Sequence, residues 1–294
     1  DVEAWKKHVE AETNGKFKIK IYYGDQLGGK KQNLDNIKAG VFEASKVCWA
    51  YHAGKNKAMT VLNLPFLPIK NFDMQRKVAQ TIHEHPVAAG EIKKKWNVFA
   101  FSSSNLPQYE FLGRGKPPQK LEDYKGMTVR ALGGMAGAMR ALGASIATMT
   151  ATEVYQAIDR GAADAVSFPS TYAHSAYKID EVATWFTSNM SPGTNDCPNI
   201  ISLTAWGKLP EQYKKLMYQA REKGYAALKA AYSAKDKVNL PKWRKKLTEI
   251  KYSDAELARF QAVGGKPVYD KWVAKHKGEF DAQGLLDTVL AAAK

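Results

Sequence analysis

The chain has 294 residues, more than the roughly 100–150 residues of a common single domain, so we expect two domains that share a cleft. Hydrophobic residues make up 45% and charged residues 25%, which excludes a disordered chain. No run approaches the ~18 apolar residues of a membrane helix, and residues 1–16 lack the apolar segment of a signal peptide. We therefore expect a soluble, already processed chain.

The first hundred residues alternate predicted helices and strands. Val2, Trp5 and Val9 have helical spacing, and the alternating stretch FKIKIYYG (17–24) predicts a strand. VFEASKVCWAY (41–51) predicts a second strand, residues 72–96 have helical periodicity, and WNVFAFSS (96–103) predicts a third strand. This alternation is typical of an α/β layer with mainly parallel strands.

The remaining chain begins with the same alternation and ends in helix. Residues 127–130 predict a strand, and the next helix stops at Gly143. A short strand SIATM, the helix EVYQAIDRG and the strand GAADAVSFP (161–169) follow. From residue 209 onward the pattern is amphipathic helix, with breaks expected at NLPKW and at VGG (263–265).

The formal charge of +15 is compatible with nucleic acid, an acidic membrane or a small anion as partner. The lysines are spread along the chain, and clusters such as KKK (93–95) and KWRKK (242–246) lie on polar helix faces without a nucleic-acid-binding motif. We expect solvated helix faces and no nucleic-acid partner.

Cysteine and histidine give no metal motif. Cys48 and Cys197 are too few and too far apart for a zinc site, and they are interpreted as two buried thiols, with a long-range disulfide as the alternative. His83 and His85 are two residues apart and do not share a helix face, so we expect them on a surface helix.

Arg130 is the one charged residue at the end of the apolar strand MTVR, and glycines follow it. Ligands of parallel α/β sheets bind outside the carboxyl ends of the strands, and a guanidinium there suits a carboxylate, since it offers two parallel donors and keeps its charge. A structural ion pair at the strand end is the alternative.

Several segments in fixed order resemble the substrate-binding proteins of tripartite ATP-independent periplasmic (TRAP) transporters. They are YYGDQLGG (22–29), NLPFL (63–67), LEDYKGMTVRA (121–131), LGASIATMTATEVYQAIDRGAADAV (142–166) and AWGKLPEQ (205–212).

The resemblance implies a periplasmic, monomeric protein without catalysis that delivers a small organic acid to the membrane permease subunits. It also implies two α/β domains with crossing segments and a helical C-terminal part, which we divide as 1–107 with 202–238 and 108–201 with 239–294. In this family the arginine of the KGxxxR strand pairs with the ligand carboxylate, and Arg130 occupies that place.

The chain departs from the family pattern at three points. Phe168 stands where many members have a ligand-contacting asparagine, and Gln108 and Glu110 lie near the place of a second arginine. The segment NMSPGTNDCP offers no clear carboxylate ligand where calcium-dependent members have an acidic residue, so we predict no metal or other cofactor. Phe168 favours an aromatic or branched acid, or an onium zwitterion if Glu110 faces the cleft, over a sugar acid.

The other candidate contacts are aromatic and amide side chains near the predicted cleft. Trp49 and Tyr51 share a face at a strand end, where either the cleft or the core is possible. The set comprises the aromatic walls Trp49, Tyr51, Phe168 and Tyr172, the polar contacts Asn105, Gln108 and Glu110, and the weaker candidates Asn195 and Asn199. Two other classes remain as alternatives, an α/β enzyme acting on a small carboxylate and a basic nucleic-acid-binding protein.

Overall fold

Two separate β-sheets organise the chain, which a computed structural model describes over all residues 1–294. The strands are β1 Ala44–Lys46, β2 Val98–Ser102, β3 Tyr109–Gly113, β4 Thr128–Arg130, β5 Ser145–Ala147, β6 Ala165–Pro169, β7 Trp185–Thr187, β8 Asn199–Ser202 and β9 Thr248–Ile250. The helices are α1 Val2–Glu12, α2 Asn33–Lys38, α3 Phe72–Glu84, α4 Pro86–Trp96, α5 Gly133–Ala141, α6 Val154–Asp159, α7 Tyr172–Ala176, α8 Ile179–Val182, α9 Leu203–Lys208, α10 Glu211–Lys246, α11 Asp254–Gly264, α12 Lys266–His276 and α13 Ala282–Ala292. Short 3-10 turns at Trp49–His52 and Ala58–Asn63 lie between β1 and α3.

The first sheet is antiparallel and has the order β1-β8-β2. The central strand β8 comes from residues far along the chain, and its Ile200 is opposite Ser45 on one side and Ala100 on the other. The mainly parallel layer expected for the first hundred residues is therefore wrong. β1 and β2 do not pair with each other because the returning strand lies between them.

The second sheet has the order β5-β4-β6-β3-β7-β9 and is mixed. β4 runs parallel to β5 and β6, whereas β3 is antiparallel to both β6 and β7. The strand end that carries Arg130 thus lies in the parallel part of this sheet, where the sequence placed it. The strands β3, β7 and β9 were not predicted from the sequence.

Four local predictions differ from the structure. The strand predicted over 41–51 is a strand only at Ala44–Lys46, and Trp49–His52 form a 3-10 turn, so Trp49 and Tyr51 do not end a strand. Residues 17–24 belong to neither sheet, because no strand pairs with them, and Tyr22 and Tyr23 are exposed. The helical stretch 72–96 is two helices that meet at Pro86, whose ring cannot continue a helix. The break expected at NLPKW is absent, since α10 continues through Pro241 while Asn239 and Trp243 on either side of it are buried.

Hydrophobic cores lie around both sheets, and α10 reaches both. Near its start α10 packs along α1, and further on it contacts α7 and β9. The helix α13 contributes Leu285 and Val289 to the core around the first sheet and packs on α3. Our sequence division put residues 239–294 with the second domain, whereas this terminal helix packs with the first.

Cys48 and Cys197 form a disulfide, so the interpretation as two thiols is wrong and the alternative is correct. The bond joins the segment after β1 to the segment before β8. It thereby fixes the chain as it returns from the second sheet to the first.

Candidate functional site

Arg130 ends β4 and is buried, with 1% of its surface exposed. Its guanidinium donates to main-chain carbonyls on both sides: Nε and Nη2 lie 3.3 and 3.0 Å from the Met149 oxygen, and Nη1 lies 3.0 Å from the Ser167 oxygen. The turn that follows needs Gly133, whose φ of 56° opens α5 in the left-handed region. The strand end and this turn hold the guanidinium in a fixed orientation.

No carboxylate lies within ion-pair distance of Arg130; every ion pair of the chain involves other residues. The structural ion pair considered from the sequence is therefore absent. A buried charge without a partner is unfavourable, and a guanidinium cannot lose its proton to avoid this. Three of its five N–H groups make the hydrogen bonds already described, so Nη1 and Nη2 each keep one N–H for a further acceptor.

Tyr51, which follows strand β1 of the first sheet, contacts Arg130 of the second sheet. Its hydroxyl oxygen accepts from Arg130 Nη2 at 3.3 Å and from the Ala151 main-chain N at 3.2 Å. Tyr51 lies in the 3-10 turn after β1, whereas both donors belong to segments of the second sheet. One hydroxyl therefore connects the two parts of the chain at the guanidinium.

Phe168 lies over the guanidinium, with Arg130 Cζ 4.7 Å from the ring centroid. The same ring stacks on Tyr177 at 5.3 Å and meets His174 edge to face at 5.5 Å. Phe168 is also part of a hydrophobic core cluster. It belongs both to the core and to the surroundings of Arg130.

Tyr172 and the amides Asn105 and Gln108 are half-buried or buried, and none of them hydrogen-bonds Arg130. Tyr172 stacks on Tyr232 at 4.7 Å, and burial raises its pKa. Gln108 Oε1 and Asn105 Oδ1 are buried acceptors without a hydrogen-bond partner, although Asn105 Nδ2 donates to the Phe72 carbonyl at 3.1 Å. The unpaired oxygens of Gln108 and Asn105 are available to accept a hydrogen bond from a ligand.

Asn195 is the candidate side chain with the most unpaired polar atoms, although from the sequence it was only a weaker candidate. It is 1% exposed, and neither its amide oxygen nor its amide nitrogen has a hydrogen-bond partner. Burial raises the pKa of the Tyr109 hydroxyl, and this hydroxyl lies beside the Asn195 amide but outside hydrogen-bond geometry. No sequence pattern singled Asn195 out, because one asparagine in an irregular segment has no periodicity to read. By contrast, Asn199 is bonded to Asp1 and Ser102.

Two of the ligand contacts predicted from the sequence, Trp49 and Glu110, make their hydrogen bonds outside the Arg130 cluster. Trp49 is fully buried in the core around the first sheet, and its indole N–H donates to Asp196 Oδ2 at 3.0 Å. The Glu110 carboxylate accepts from Thr187 Oγ1 at 2.5 Å, Met190 N at 3.1 Å and both donors of Ser191. Burial nevertheless raises the pKa of Glu110. Neither side chain hydrogen-bonds any partner of Arg130, so we remove both from the candidate site.

Asp196, the residue after Asn195, is buried, and its carboxylate connects three separate segments of the chain. Its carboxylate accepts from Trp49 at 3.0 Å, from Ser103 Oγ at 2.6 Å and from His83 Nε2 at 2.6 Å. The expectation that His83 lies on the surface is wrong, since this partner holds it inside at 5% exposure. The next residue is Cys197 of the disulfide, so the hydrogen bonds of Asp196 and the disulfide together fix this segment.

The rest of the molecule offers less. No three histidine, cysteine or acidic side chains lie together as a metal cluster would require. An open depression of about 550 Å³ lies along α3, lined by charged and polar side chains such as Asp73, Arg76 and Glu84. We assign the site to the Arg130 cluster instead, because only there do a buried unpaired cation and buried unpaired amides lie together. No helix is both long and apolar enough to cross a membrane.

Two sheets joined by crossing segments, with an interior cation between them, define a two-domain binding protein. The model of the bacterial extracellular solute-binding protein family 7 matches residues 1–276, and the chain belongs to this family. A monocarboxylate 2-oxoacid-binding periplasmic protein of Nostoc sp. is 27% identical over 233 residues, 78% of this chain and 62% of that protein. The chain thus spans less than two thirds of that relative's length.

Solved structures show the same fold, as the sequence resemblance predicted. A TRAP periplasmic solute-binding protein from Sulfitobacter sp. with bound galacturonate superposes with a TM-score of 0.83, at 18% identity over 99% of this chain and 94% of that one. A marine metagenome TRAP solute-binding protein specific for aromatic acids superposes with a TM-score of 0.80, at 23% identity over 99% and 92%. The two-domain α/β class is confirmed.

Proposed function

We propose that this chain is the periplasmic solute-binding protein of a TRAP transporter and captures a small organic acid through its carboxylate. It binds without chemical conversion and passes the acid to the membrane permease subunits. The observation that carries the proposal is Arg130, a guanidinium 1% exposed and without a carboxylate partner in the chain. An anionic ligand supplies the missing charge.

The carboxylate is expected on the Nη edge of the guanidinium. One oxygen takes the N–H that Nη1 still offers, and the other takes the Nη2 N–H that now points to Tyr51 at 3.3 Å. Bidentate pairing of this kind is strong and directional. Losing one partner of a buried charged pair costs about 2–5 kcal/mol, so Arg130→Ala should weaken binding from tens-fold to thousands-fold.

The body of the acid is expected to be aromatic or branched. Phe168 and Tyr177 give a stacked aromatic wall beside Arg130, and a ring face offers no hydrogen bonds to a sugar. An onium zwitterion loses its support, since Glu110 is bonded to Thr187 and Ser191. Related proteins bind either kind of acid, galacturonate in one and aromatic acids in another, so the choice rests on the residues of this chain.

Calorimetry with acids identified by mass spectrometry of material released from the purified protein tests the proposal. Arg130→Lys should be nearly as damaging as Arg130→Ala, because an ammonium group cannot form the two parallel bonds. Near-normal affinity of Arg130→Ala would refute the anchor. A chemically altered acid after incubation would instead indicate the enzyme alternative, and salt-sensitive binding of any DNA the nucleic-acid alternative.

A further inference from the structure

A second polar group lies close to Arg130 in the chain fold and is formed by two amides. Asn195 has no partner for either amide atom, and Asn63 has none for Nδ2, while each is 1% exposed. A Cβ placed on Gly133 would lie 3.0 Å from both Asn195 Oδ1 and Asn63 Cβ. The Asn195 amide oxygen and the Asn63 side chain therefore both lie at the glycine three residues after Arg130.

These amides are held in place and are not loose side chains. The main-chain N of Asp196 donates to Asn63 Oδ1 at 2.8 Å, which ties the residue after Asn195 to Asn63. The Asp196 carboxylate is fixed in turn by Trp49, His83 and Ser103. A buried amide that is positioned by its neighbours but unpaired is unfavourable unless a ligand supplies its partner.

The charge of the interior limits what that ligand group is. Arg130 is the only buried arginine or lysine of the chain, and the buried His83 is already paired with Asp196, so the interior provides one permanent cation without a carboxylate partner. A second carboxylate at Asn195 would be buried without a counter-charge, which is strongly unfavourable. A neutral hydroxyl or carbonyl oxygen can accept from an amide N–H, and a hydroxyl can also donate to the amide oxygen.

We propose that Asn195 and Asn63 form a second recognition pole, which selects acids that carry one carboxylate and one neutral hydroxyl or carbonyl group. This inference rests on the proposed function, because Arg130 must hold the carboxylate for the amides to meet the other end. It assigns the preferred class as hydroxy or oxo monocarboxylates with an apolar body. Dicarboxylates and unsubstituted acids are disfavoured.

Two matched series of acids test the pole by calorimetry on wild type, Asn195→Leu and Arg130→Ala. One series is phenylacetate, its ring-hydroxylated forms and carboxyphenylacetate; the other is isovalerate, ketoisovalerate and methylsuccinate. In at least one series, wild type should bind the hydroxyl or oxo acid about tenfold tighter than the parent acid and the dicarboxylate. Asn195→Leu should lower the affinity for that acid to the affinity for its parent acid, and it should change the affinity for the parent acid by less than about threefold.

Several results would overturn the pole. The pole is refuted if the wild type binds a dicarboxylate best or binds no acid of the panel. It is also refuted if Asn195→Leu still prefers the hydroxyl or oxo acid over the parent acid. If Arg130→Ala abolishes binding while Asn195→Leu changes nothing, the proposed function stands and the pole fails. If Arg130→Ala binds normally, the proposed function itself fails. Thermal unfolding controls for folding, and Asn195→Ala replaces the leucine variant if that variant loses more than about 5 °C.

Discussion

The Tyr51 hydroxyl is the most direct test of how the two parts of the chain meet at the site. Tyr51→Phe keeps the ring and removes the acceptor of two donors, Arg130 Nη2 at 3.3 Å and Ala151 N at 3.2 Å. In the proposed complex the bound acid takes over the Nη2 N–H, so Ala151 N is the donor that this variant leaves without a partner. A buried donor left without a partner costs about 1–3 kcal/mol. Because Tyr51 is half-buried and the bond from Ala151 N is long at 3.2 Å, we expect the lower part of this range, about 1–2 kcal/mol.

That loss should appear in ligand affinity as a decrease of about 5- to 30-fold, measured by calorimetry. Tyr177→Phe is the matched control, since Tyr177 stacks on Phe168 and its hydroxyl makes no hydrogen bond. The control should bind within about twofold of wild type. Equal losses in both variants, or none in Tyr51→Phe, would refute a role for the Tyr51 hydroxyl in joining the two parts.

The disulfide, two buried titratable groups and closure of the two domains on the ligand give further predictions. Replacing Cys48 and Cys197 by serine, which opens a link across 149 residues, should lower the free energy of unfolding by about 2–5 kcal/mol in denaturant titrations; an unchanged midpoint contradicts this. Burial lowers the pKa of His174 to about 3, so only the unfolded chain takes up this proton as the pH falls below about 6.5. The free energy of unfolding should therefore decrease as the pH falls from about 6.5 to about 3, and His174→Gln should make this decrease smaller. Glu110→Gln should lower stability without changing ligand preference, since its partners lie in residues 187–191; a changed preference would return Glu110 to the site. If the two domains close on the ligand, bound ligand should reduce the radius of gyration in scattering; a constant radius together with constant tryptophan fluorescence would refute this closure.

Local pattern predicted the elements well where one residue type decides the geometry. The strand ending at Arg130, the helix ending before Gly143 and the interruption near VGG all depend on short-range signals, and the structure has them. The first sheet could not be predicted in this way. Its central strand β8 lies about a hundred residues from β2, and no periodicity records which distant strand enters a sheet.

The site shows the same limit. Arg130 could be found because a charge at the end of an apolar strand is conspicuous, and the family resemblance gave it a role. Trp49 carries the same sequence signal as Tyr51, yet Asp196, 147 residues away, takes its indole N–H and holds it in the core. Asn195 is notable only for the partners that it lacks, which is a property of the fold and not of its neighbours in sequence.

The positions of the two poles connect selectivity to closure. Arg130 belongs to the second sheet, whereas Asn63 ends a 3-10 turn whose neighbours pack around the first, and Asn195 lies in the segment that returns to it. An acid that reaches only the guanidinium gains nothing from the amides when the sheets approach. An acid that also bonds the amides binds the closed arrangement better than the open one, and only such differential affinity shifts the equilibrium. The amide pole therefore selects its ligand by determining which bound acids keep the cleft closed.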